Sequence, residues 1–162
     1  MSQTAPTPRL APLTAAEEAF IRSFTAAAVA MPRAFDADLE REQRMSRNEY
    51  LVLVHLSEAP DRKLRMSDLA DRAALSLSGM TRIVQRLEAL SLVERQRCPE
   101  DGRGWNAALT AAGLERLREA WPTHLASARQ RVFTPLGEVD LTALAAALQR
   151  VAEACEAGTP PS

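Results

Sequence analysis

Two neighbouring stretches decide the fold: LSLSGMTRIVQRLE at residues 75–88 and DGRGWNAALT at residues 101–110. In the first, apolar side chains recur at positions i, i+3, i+4 and i+7, which is typical of a helix with one buried face. These side chains are Met80, Ile83, Val84 and Leu87. The second stretch places Arg103, flanked by glycines, between two strand-like runs at residues 92–97 and 105–109. Together they predict a helix followed by a β-hairpin with an arginine at its tip.

The other face of the predicted helix is polar. Its side chains include hydroxyls, arginines and a glutamine, namely Ser76, Ser78, Thr81, Arg82, Gln85 and Arg86. A helix fits the major groove of DNA, where the base edges present distinct donor and acceptor patterns. Hydroxyls suit phosphate oxygens, and a guanidinium at a hairpin tip suits the negative minor groove of an A·T-rich flank. The two stretches therefore favour a helix and wing that bind double-stranded DNA.

These residues resemble the MarR family of bacterial winged-helix transcription regulators. Residues 75–88 are similar to the recognition helix of that family, and residues 101–110 resemble its wing signature, an Asp-x-Arg followed by a strand ending in Leu-Thr. The resemblance covers nearly the whole chain. It implies that Arg103 enters the minor groove, that Asp101 orients Arg103 through a salt bridge, and that the polar set above contacts bases and phosphates.

The pattern of caps and breaks predicts the helices before this segment. Thr14 and Glu17 have the spacing of a capping box, as do Ser46 and Glu49, so each pair should open a helix. Pro32 interrupts the first of these helices, which is expected to kink or restart there. The second helix should bury Tyr50, Leu51, Leu53, Val54 and Leu56.

The elements that follow complete a mainly α chain of the α+β class. Ser67 should begin a short third helix, and a break near Ala74 leads to the polar-faced helix. After the two strands, Thr110 should cap a long helix to about residue 132, with a bend at Pro122. The fold class expected is a winged helix-turn-helix lobe with N- and C-terminal helices that form a dimerisation region.

The chain ends carry apolar stripes that predict a homodimer. The last helix, roughly residues 138–156, places apolar residues at alternating steps of three and four, as in a helix that packs along another helix. These are Leu141, Leu144, Leu148, Val151 and Cys155. With the apolar side of the first helix they form a surface that a chain of 162 residues most simply buries against a second copy.

The expected domain organisation follows from these elements. The small, polar and proline-rich ends are expected to be frayed. The predicted parts are a disordered tail at 1–12, an N-terminal dimerisation helix at 13–45, a winged helix-turn-helix DNA-binding lobe at 46–110, a long linking helix and C-terminal dimerisation helix at 111–157, and a tail at 158–162.

Composition excludes several classes of protein. The sequence contains no run of eighteen or more apolar residues, so no membrane span is expected. The first residues do not have the pattern of a secretory signal. We therefore expect a cytoplasmic protein. The net charge is −1, but residues 61–104 carry nine basic and seven acidic side chains, a mildly positive centre. No phosphate loop, metal spacing or nucleophile elbow is visible, so we expect neither an enzyme nor a bound cofactor or metal.

The family resemblance also implies a small-molecule pocket between the dimer helices and the DNA-binding lobe. Candidate lining residues are Phe24, Phe35, His55, Trp121 and His124, which would suit a small aromatic effector. The sequence thus predicts a homodimeric repressor. Its two recognition helices would enter successive major grooves of an inverted repeat, roughly 34–36 Å apart. An effector that favours another spacing would release the DNA.

Two alternatives stay open at this stage. The near-neutral charge and the apolar Leu77 in the recognition helix fit a protein-interaction module that keeps the winged fold without binding DNA. Cys98, just before the hairpin loop, fits a regulator whose DNA binding is switched by thiol oxidation. Cys155 is expected to be a packing residue in the apolar seam.

Overall fold

A computed structural model describes residues 11–98 and 104–157. Its helices and strands, in chain order, are α1 (Ala15–Gln43), α2 (Arg47–Glu58), β1 (Lys63–Arg65), α3 (Met66–Arg72), α4 (Leu77–Ala89), β2 (Val93–Arg97), β3 (Trp105–Leu109), α5 (Ala111–Ala128), α6 (Thr134–Leu136) and α7 (Leu141–Ala157). A short 3₁₀ turn, Pro60–Arg62, precedes β1, and a π-helical turn, Arg129–Phe133, follows α5. The expected mainly α architecture with a small sheet is confirmed.

Both predicted capping boxes are present. The Ser46 hydroxyl accepts a hydrogen bond from the Glu49 amide at 3.2 Å, and the Glu49 carboxylate accepts one from the Ser46 amide at 2.8 Å. Thr14 and Glu17 form the same pair at the start of α1. The helix does not restart at Pro32: α1 continues through it as one element. Alanines at 26–28 and 30, strong helix formers, precede Pro32 and offset the one backbone hydrogen bond that a proline lacks.

The sheet has three antiparallel strands in the order β1-β3-β2. The hairpin of β2 and β3 was predicted, although β2 begins at Val93 rather than at residue 92. The third strand, β1, was not predicted. It has only three residues, with Leu64 buried and its neighbours exposed, so its alternation is too short to give a signal.

The core lies where α2 meets α3, α4 and the sheet. Three of the four stripe residues of α4, Met80, Val84 and Leu87, are buried, and Ile83 packs against them. On α2 the predicted Tyr50, Leu53 and Leu56 are buried, and Leu51 and Val54 are partly buried against the core. Val52 is fully buried as well, which the prediction missed, because α2 is covered on more than one side.

The turn between α3 and α4 has the predicted break. Ala74 adopts a left-handed backbone, with φ of 52°, and the Leu75 amide donates to the Ala70 carbonyl at 2.9 Å. The Ser76 hydroxyl then accepts from the Gly79 amide at 3.2 Å and caps α4. The turn fixes the direction of α4 relative to α3.

A buried carboxylate ties α1 to the end of α5. Asp38 accepts hydrogen bonds from Ser127 at 2.7 Å and from two nitrogens of Arg131 at 2.6 and 2.8 Å. The Arg131 guanidinium, then the Ser127 hydroxyl, hold the pKa of Asp38 well below its usual range. The long helix passes through Pro122 and changes to a π-helical turn at Arg129, and Arg131, which pairs with Asp38, lies in that turn.

The chain-terminal helices leave apolar surface uncovered. Phe20, Ile21 and Phe24 on α1 are exposed, as are Leu141 and Val151 on α7. Within the described part of the chain, α7 has no buried residue. No helix in residues 11–98 and 104–157 is long and apolar enough to cross a membrane.

The start of α5 is pressed against the start of β2. The Thr110 amide donates to the Leu92 carbonyl at 3.1 Å, and the Thr110 hydroxyl caps the Gly113 amide at 3.0 Å. A Cβ added to the buried Gly113 would collide with the Leu92 carbonyl oxygen and with the Leu109 side chain.

Gly113→Ala should therefore lower the free energy of unfolding by about 2–3 kcal/mol, because the backbone oxygen it meets cannot move without disturbing β2. Urea denaturation measures the change. The matched control is Gly79→Ala in α4, where the new Cβ meets only the Ser76 hydroxyl at 3.2 Å. That variant should stay within about 1 kcal/mol of the original protein. Equal effects of the two substitutions would contradict the close approach at Gly113.

Candidate nucleic-acid interface

The outward face of α4 carries three of the predicted contact residues. Ser78, Arg82 and Gln85 are exposed and lie opposite the buried stripe of Met80 and Val84. A hydroxyl, a guanidinium and an amide are thus presented together on the solvent side. This face can donate to phosphates, to guanine and to adenine edges without disturbing the core.

The hydroxyls at the beginning of α4 are partly used by the helix itself. Ser76 caps Gly79 and lies 3.2 Å from the Ser78 hydroxyl oxygen. The Thr81 hydroxyl donates to the Leu77 carbonyl at 2.8 Å. Each hydroxyl oxygen keeps acceptor capacity, and Ser76 and Ser78 are exposed, whereas Thr81 is half-buried.

Arg86 lies at the edge of this face rather than on it. Its guanidinium is 3.3 Å from the carboxylate of Glu49, the capping residue of α2. The Glu49 side chain is only 9% exposed, whereas that of Arg86 is 71% exposed. The pair joins α4 to α2 and leaves most of the guanidinium open to solvent. This position suits a backbone phosphate better than a base edge.

Two predicted wing residues, Asp101 and Arg103, lie outside the described residues, so their salt bridge and the minor-groove arginine stay predictions. The strands on either side are described. Arg95 on β2 forms an ion pair with Glu88 at the end of α4, at 2.7 Å. The hairpin is therefore fastened directly to the helix that precedes it.

Trp105 is a surface residue at this interface that the sequence prediction missed. It is 44% exposed at the start of β3, and the guanidinium carbons of Arg95 and Arg97 lie 5.8 and 5.4 Å from its ring centroid. The alternation of residues in the sequence places Arg95 and Arg97 on one side of β2, but the strand register that sets Arg97 directly across from Trp105 is known only from the structure.

Of the five proposed pocket residues, the structure brings three together. The His124 ring centroid lies 5.4 Å from that of Phe35 and 6.0 Å from that of Trp121, and the core residue Tyr50 lies 4.8 Å away. Among the described residues, the Tyr50 hydroxyl and His124 Nδ1 are buried without a hydrogen-bond partner. Burial raises the pKa of Tyr50 to about 12, and burial lowers the pKa of His124.

Phe24 and His55 lie apart from this cluster. Phe24 is exposed near the start of α1 and stacks on Phe20, with ring centroids 5.8 Å apart. His55 is half-buried on α2, and its burial lowers its pKa. A cleft of about 350 Å³ between α2 and α5 is lined by Trp121 together with Val54, Ser57, Glu58, Leu117 and Arg118.

The cysteines occupy different environments. Cys98 is buried, and Arg65 donates to its sulfur at 3.4 Å, whereas Cys155 is exposed on α7. Among the described residues, no group of histidine, cysteine and acidic side chains could hold a metal ion.

His124 should make the stability of the fold depend on pH near neutrality. Because burial, followed by the charge of Arg47, lowers its pKa in the folded state, the unfolded chain takes up a proton at His124 more readily. Stability from this residue is present above its ordinary pKa of 6.5 and is lost as the pH falls below that value. The Tm should therefore drop between about pH 7.5 and about pH 5.5.

His124→Phe keeps an aromatic ring among Phe35 and Tyr50 but cannot titrate, so its Tm should drop less over the same interval. His55, whose pKa is lowered in the same direction, remains in this variant and accounts for part of the residual drop. Identical pH profiles for the variant and the original chain would show that His124 is not held neutral by its surroundings.

Comparison with known proteins identifies the family. The family model of the MarR family matches residues 45–104, which contain the helix-turn-helix and the start of the hairpin. The comparison with curated proteins gave no match.

Solved structures match the chain over most of its length. AbsC, a MarR family transcriptional regulator from Streptomyces coelicolor, is 34% identical with a TM-score of 0.81, over 91% of this chain and 99% of that one. Sco3205, a MarR family transcriptional regulator from the same organism solved in complex with DNA, is 38% identical with a TM-score of 0.80, over 93% and 95%. The transcriptional regulator BldR from Sulfolobus solfataricus is 25% identical with a TM-score of 0.71, over 87% and 99%. With this fold and this extent of identity, the chain belongs to the MarR family of winged helix-turn-helix transcriptional regulators.

Proposed function

We propose that this protein is a homodimeric DNA-binding repressor that binds an inverted-repeat operator and is released by a small aromatic effector. The main support for the proposal is the exposed polar face of α4, with Ser78, Arg82 and Gln85 opposite the buried residues of the apolar stripe. The DNA complex of the relative Sco3205 supports double-stranded DNA as the partner.

In this proposal α4 enters the major groove. Arg82 and Gln85 contact base edges, because their long side chains extend from the centre of the exposed face. Ser76, Ser78 and Thr81, near the helix N-terminus, contact phosphates, as does Arg86 at the edge. Arg103, oriented by Asp101, would enter the adjacent minor groove.

Dimerisation would set the spacing of the two α4 helices. The exposed apolar residues of α1 and α7 support an interface made by residues 13–45 and 111–157, with the DNA-binding lobe at 46–110. Helix α7 has no buried residue in the described chain, so in this proposal it packs against a second copy. The two recognition helices then lie about one turn of DNA apart, roughly 34–36 Å.

The effector would act at the junction of α1, α2 and α5. Phe35, Tyr50, Trp121 and His124 offer aromatic faces there, with two buried polar atoms to orient a ligand. Trp121 of this cluster also lines the cleft between α2 and α5. A ligand that wedges the junction changes the angle between lobe and dimer helices, and so favours a spacing that no longer fits the operator. Repression follows from occupancy of the operator, which excludes other proteins from the same DNA.

The test begins with selection of bound duplexes from random DNA and continues with Arg82→Ala. Affinity for the selected duplex should fall by about 10- to 100-fold, the usual contribution of a guanidinium that reads a base. Affinity for a scrambled duplex of equal length should fall much less. Fluorescence anisotropy measures both, and the Tm should not change because Arg82 is exposed.

Arg118→Ala is the matched control, since Arg118 is an exposed arginine on α5, away from α4. It should bind both duplexes as the original chain does. Equal losses on the selected and scrambled duplexes would remove Arg82 from base recognition.

Two alternatives give different outcomes in the same assays. The exposed side chains of Leu77 and Trp105 favour a protein-interaction module, which would bind neither duplex even at low salt. The contact between Arg65 and the Cys98 sulfur favours a redox switch, in which peroxide would release DNA from the original chain but not from Cys98→Ser.

A further inference from the structure

A cleft of about 430 Å³ lies between α4 and the half of the β2–β3 hairpin that is nearer the loop. It is lined by Leu77 and Thr81 of α4, by Arg95, Gly104 and Trp105 of the hairpin, and by residues 65–67. The groove-reading face of Ser78, Arg82 and Gln85 does not include this cleft. The cleft lies between α4 and the hairpin, the two elements that would contact DNA in the proposed function.

The walls of this cleft are apolar at two exposed positions. Leu77 is 55% exposed in the first turn of α4, and Trp105 is 44% exposed at the start of β3. Both side chains are large, and both face the same cleft. Their apolar area is available for burial against a partner that enters between helix and hairpin.

The same cleft is rimmed by positive charge. The guanidinium carbons of Arg97 and Arg95 lie 5.4 and 5.8 Å from the Trp105 ring centroid, within the range of cation–π attraction. Arg95 is also bonded to Glu88 at 2.7 Å, so one side of this arrangement is fixed to α4. A third guanidinium, that of Arg65, lines the cleft and donates to Cys98.

A sugar–phosphate strand of DNA would fit both the apolar residues and the arginines of this cleft. One sugar–phosphate strand always separates a major groove from the adjacent minor groove. A protein with a helix in one groove and a hairpin in the other must therefore accommodate that strand between the two elements. Deoxyribose presents apolar C–H surface, and each nucleotide adds a negative phosphate.

We propose that this cleft is a binding site for one sugar–phosphate strand of the duplex. In it, Trp105 and Leu77 pack against deoxyribose, and Arg95 and Arg97 pair with the flanking phosphates. The inference rests on the proposed function, since it assumes that α4 enters the major groove. It adds a sequence-independent contact made by Trp105, a residue outside the polar groove-reading set.

Charge complementarity favours this strand over an apolar protein segment as the occupant. A hydrophobic peptide would bury the Arg97 guanidinium without offering it an anion, which costs free energy, whereas Arg95 already has the Glu88 carboxylate as a partner. A phosphodiester strand meets both the apolar walls and the charged rim.

The first experiment uses the intrinsic fluorescence of Trp105. The chain has two tryptophans, so Trp121→Phe leaves Trp105 as the only one. Trp121 is 48% exposed on α5, and its replacement by another aromatic ring keeps the fold. Saturating duplex DNA should quench or blue-shift the Trp105 emission, because the ring becomes covered. Unchanged emission at saturation would overturn the proposal.

The second experiment compares Trp105→Ala with Trp105→Phe in the full chain. Trp105→Ala should weaken binding about tenfold on the selected duplex and on a scrambled duplex alike, because a sugar contact carries no sequence information. Trp105→Phe should recover most of that loss. The slope of log affinity against log salt should stay unchanged in Trp105→Ala. Arg97→Gln removes one phosphate contact from each copy of the dimer, so it should reduce the slope by about 1.8.

The outcomes separate this inference from the proposed function. If the original chain binds no duplex, the proposed function itself is wrong. If the chain binds DNA and Trp105→Ala, with an unchanged Tm, binds both duplexes normally, the strand site is wrong and the α4 mechanism stands. A loss confined to the selected duplex would also contradict the site, because it would make Trp105 a base-reading residue.

Discussion

The burial of one stripe of α4 is the constraint on which the rest of the structure depends. Met80, Val84 and Leu87 are almost completely buried against the core around α2. Because side chains on a helix keep a fixed angular order, this burial alone turns Ser78, Arg82 and Gln85 toward solvent. Glu49 reinforces the orientation, since its one carboxylate caps α2 and pairs with Arg86 of α4. A rotation of α4 would break that pair and expose the stripe, so the outward face is held by the same contacts that stabilise the lobe.

The hairpin is positioned by contacts at both of its ends. Arg95 joins β2 to Glu88 of α4, and Thr110 with Gly113 presses the start of α5 against Leu92. Helix α4, the hairpin and the long helix α5 are therefore mechanically connected. A change at the junction of α1, α2 and α5 can alter the placement of both DNA-contacting elements, which is the coupling that the proposed effector mechanism requires.

Local sequence patterns predicted most of the helices and turns. The features that could not be predicted depend on contacts between residues far apart in the sequence. The stripe of α4, the caps at Ser46 and Ser76 and the break at Ala74 depend on neighbouring residues, so periodicity and capping rules found them. The pairing of Arg86 with Glu49 spans 37 residues and gave no sequence signal. Strand β1 is too short for its alternation to be recognised, and the packing of Trp105 with two arginines depends on strand register. The pocket prediction grouped residues by type, and the structure unites only Phe35, Trp121 and His124.

In the proposed complex, two copies of α4 enter successive major grooves of one duplex. Dimethyl sulfate protection on a selected, guanine-containing duplex tests this arrangement most directly, because this reagent methylates guanine N7 in the major groove. We expect two symmetric clusters of protected guanines with centres about 10 base pairs apart. A single protected cluster, or strong binding that leaves every guanine N7 reactive, would contradict the proposed complex.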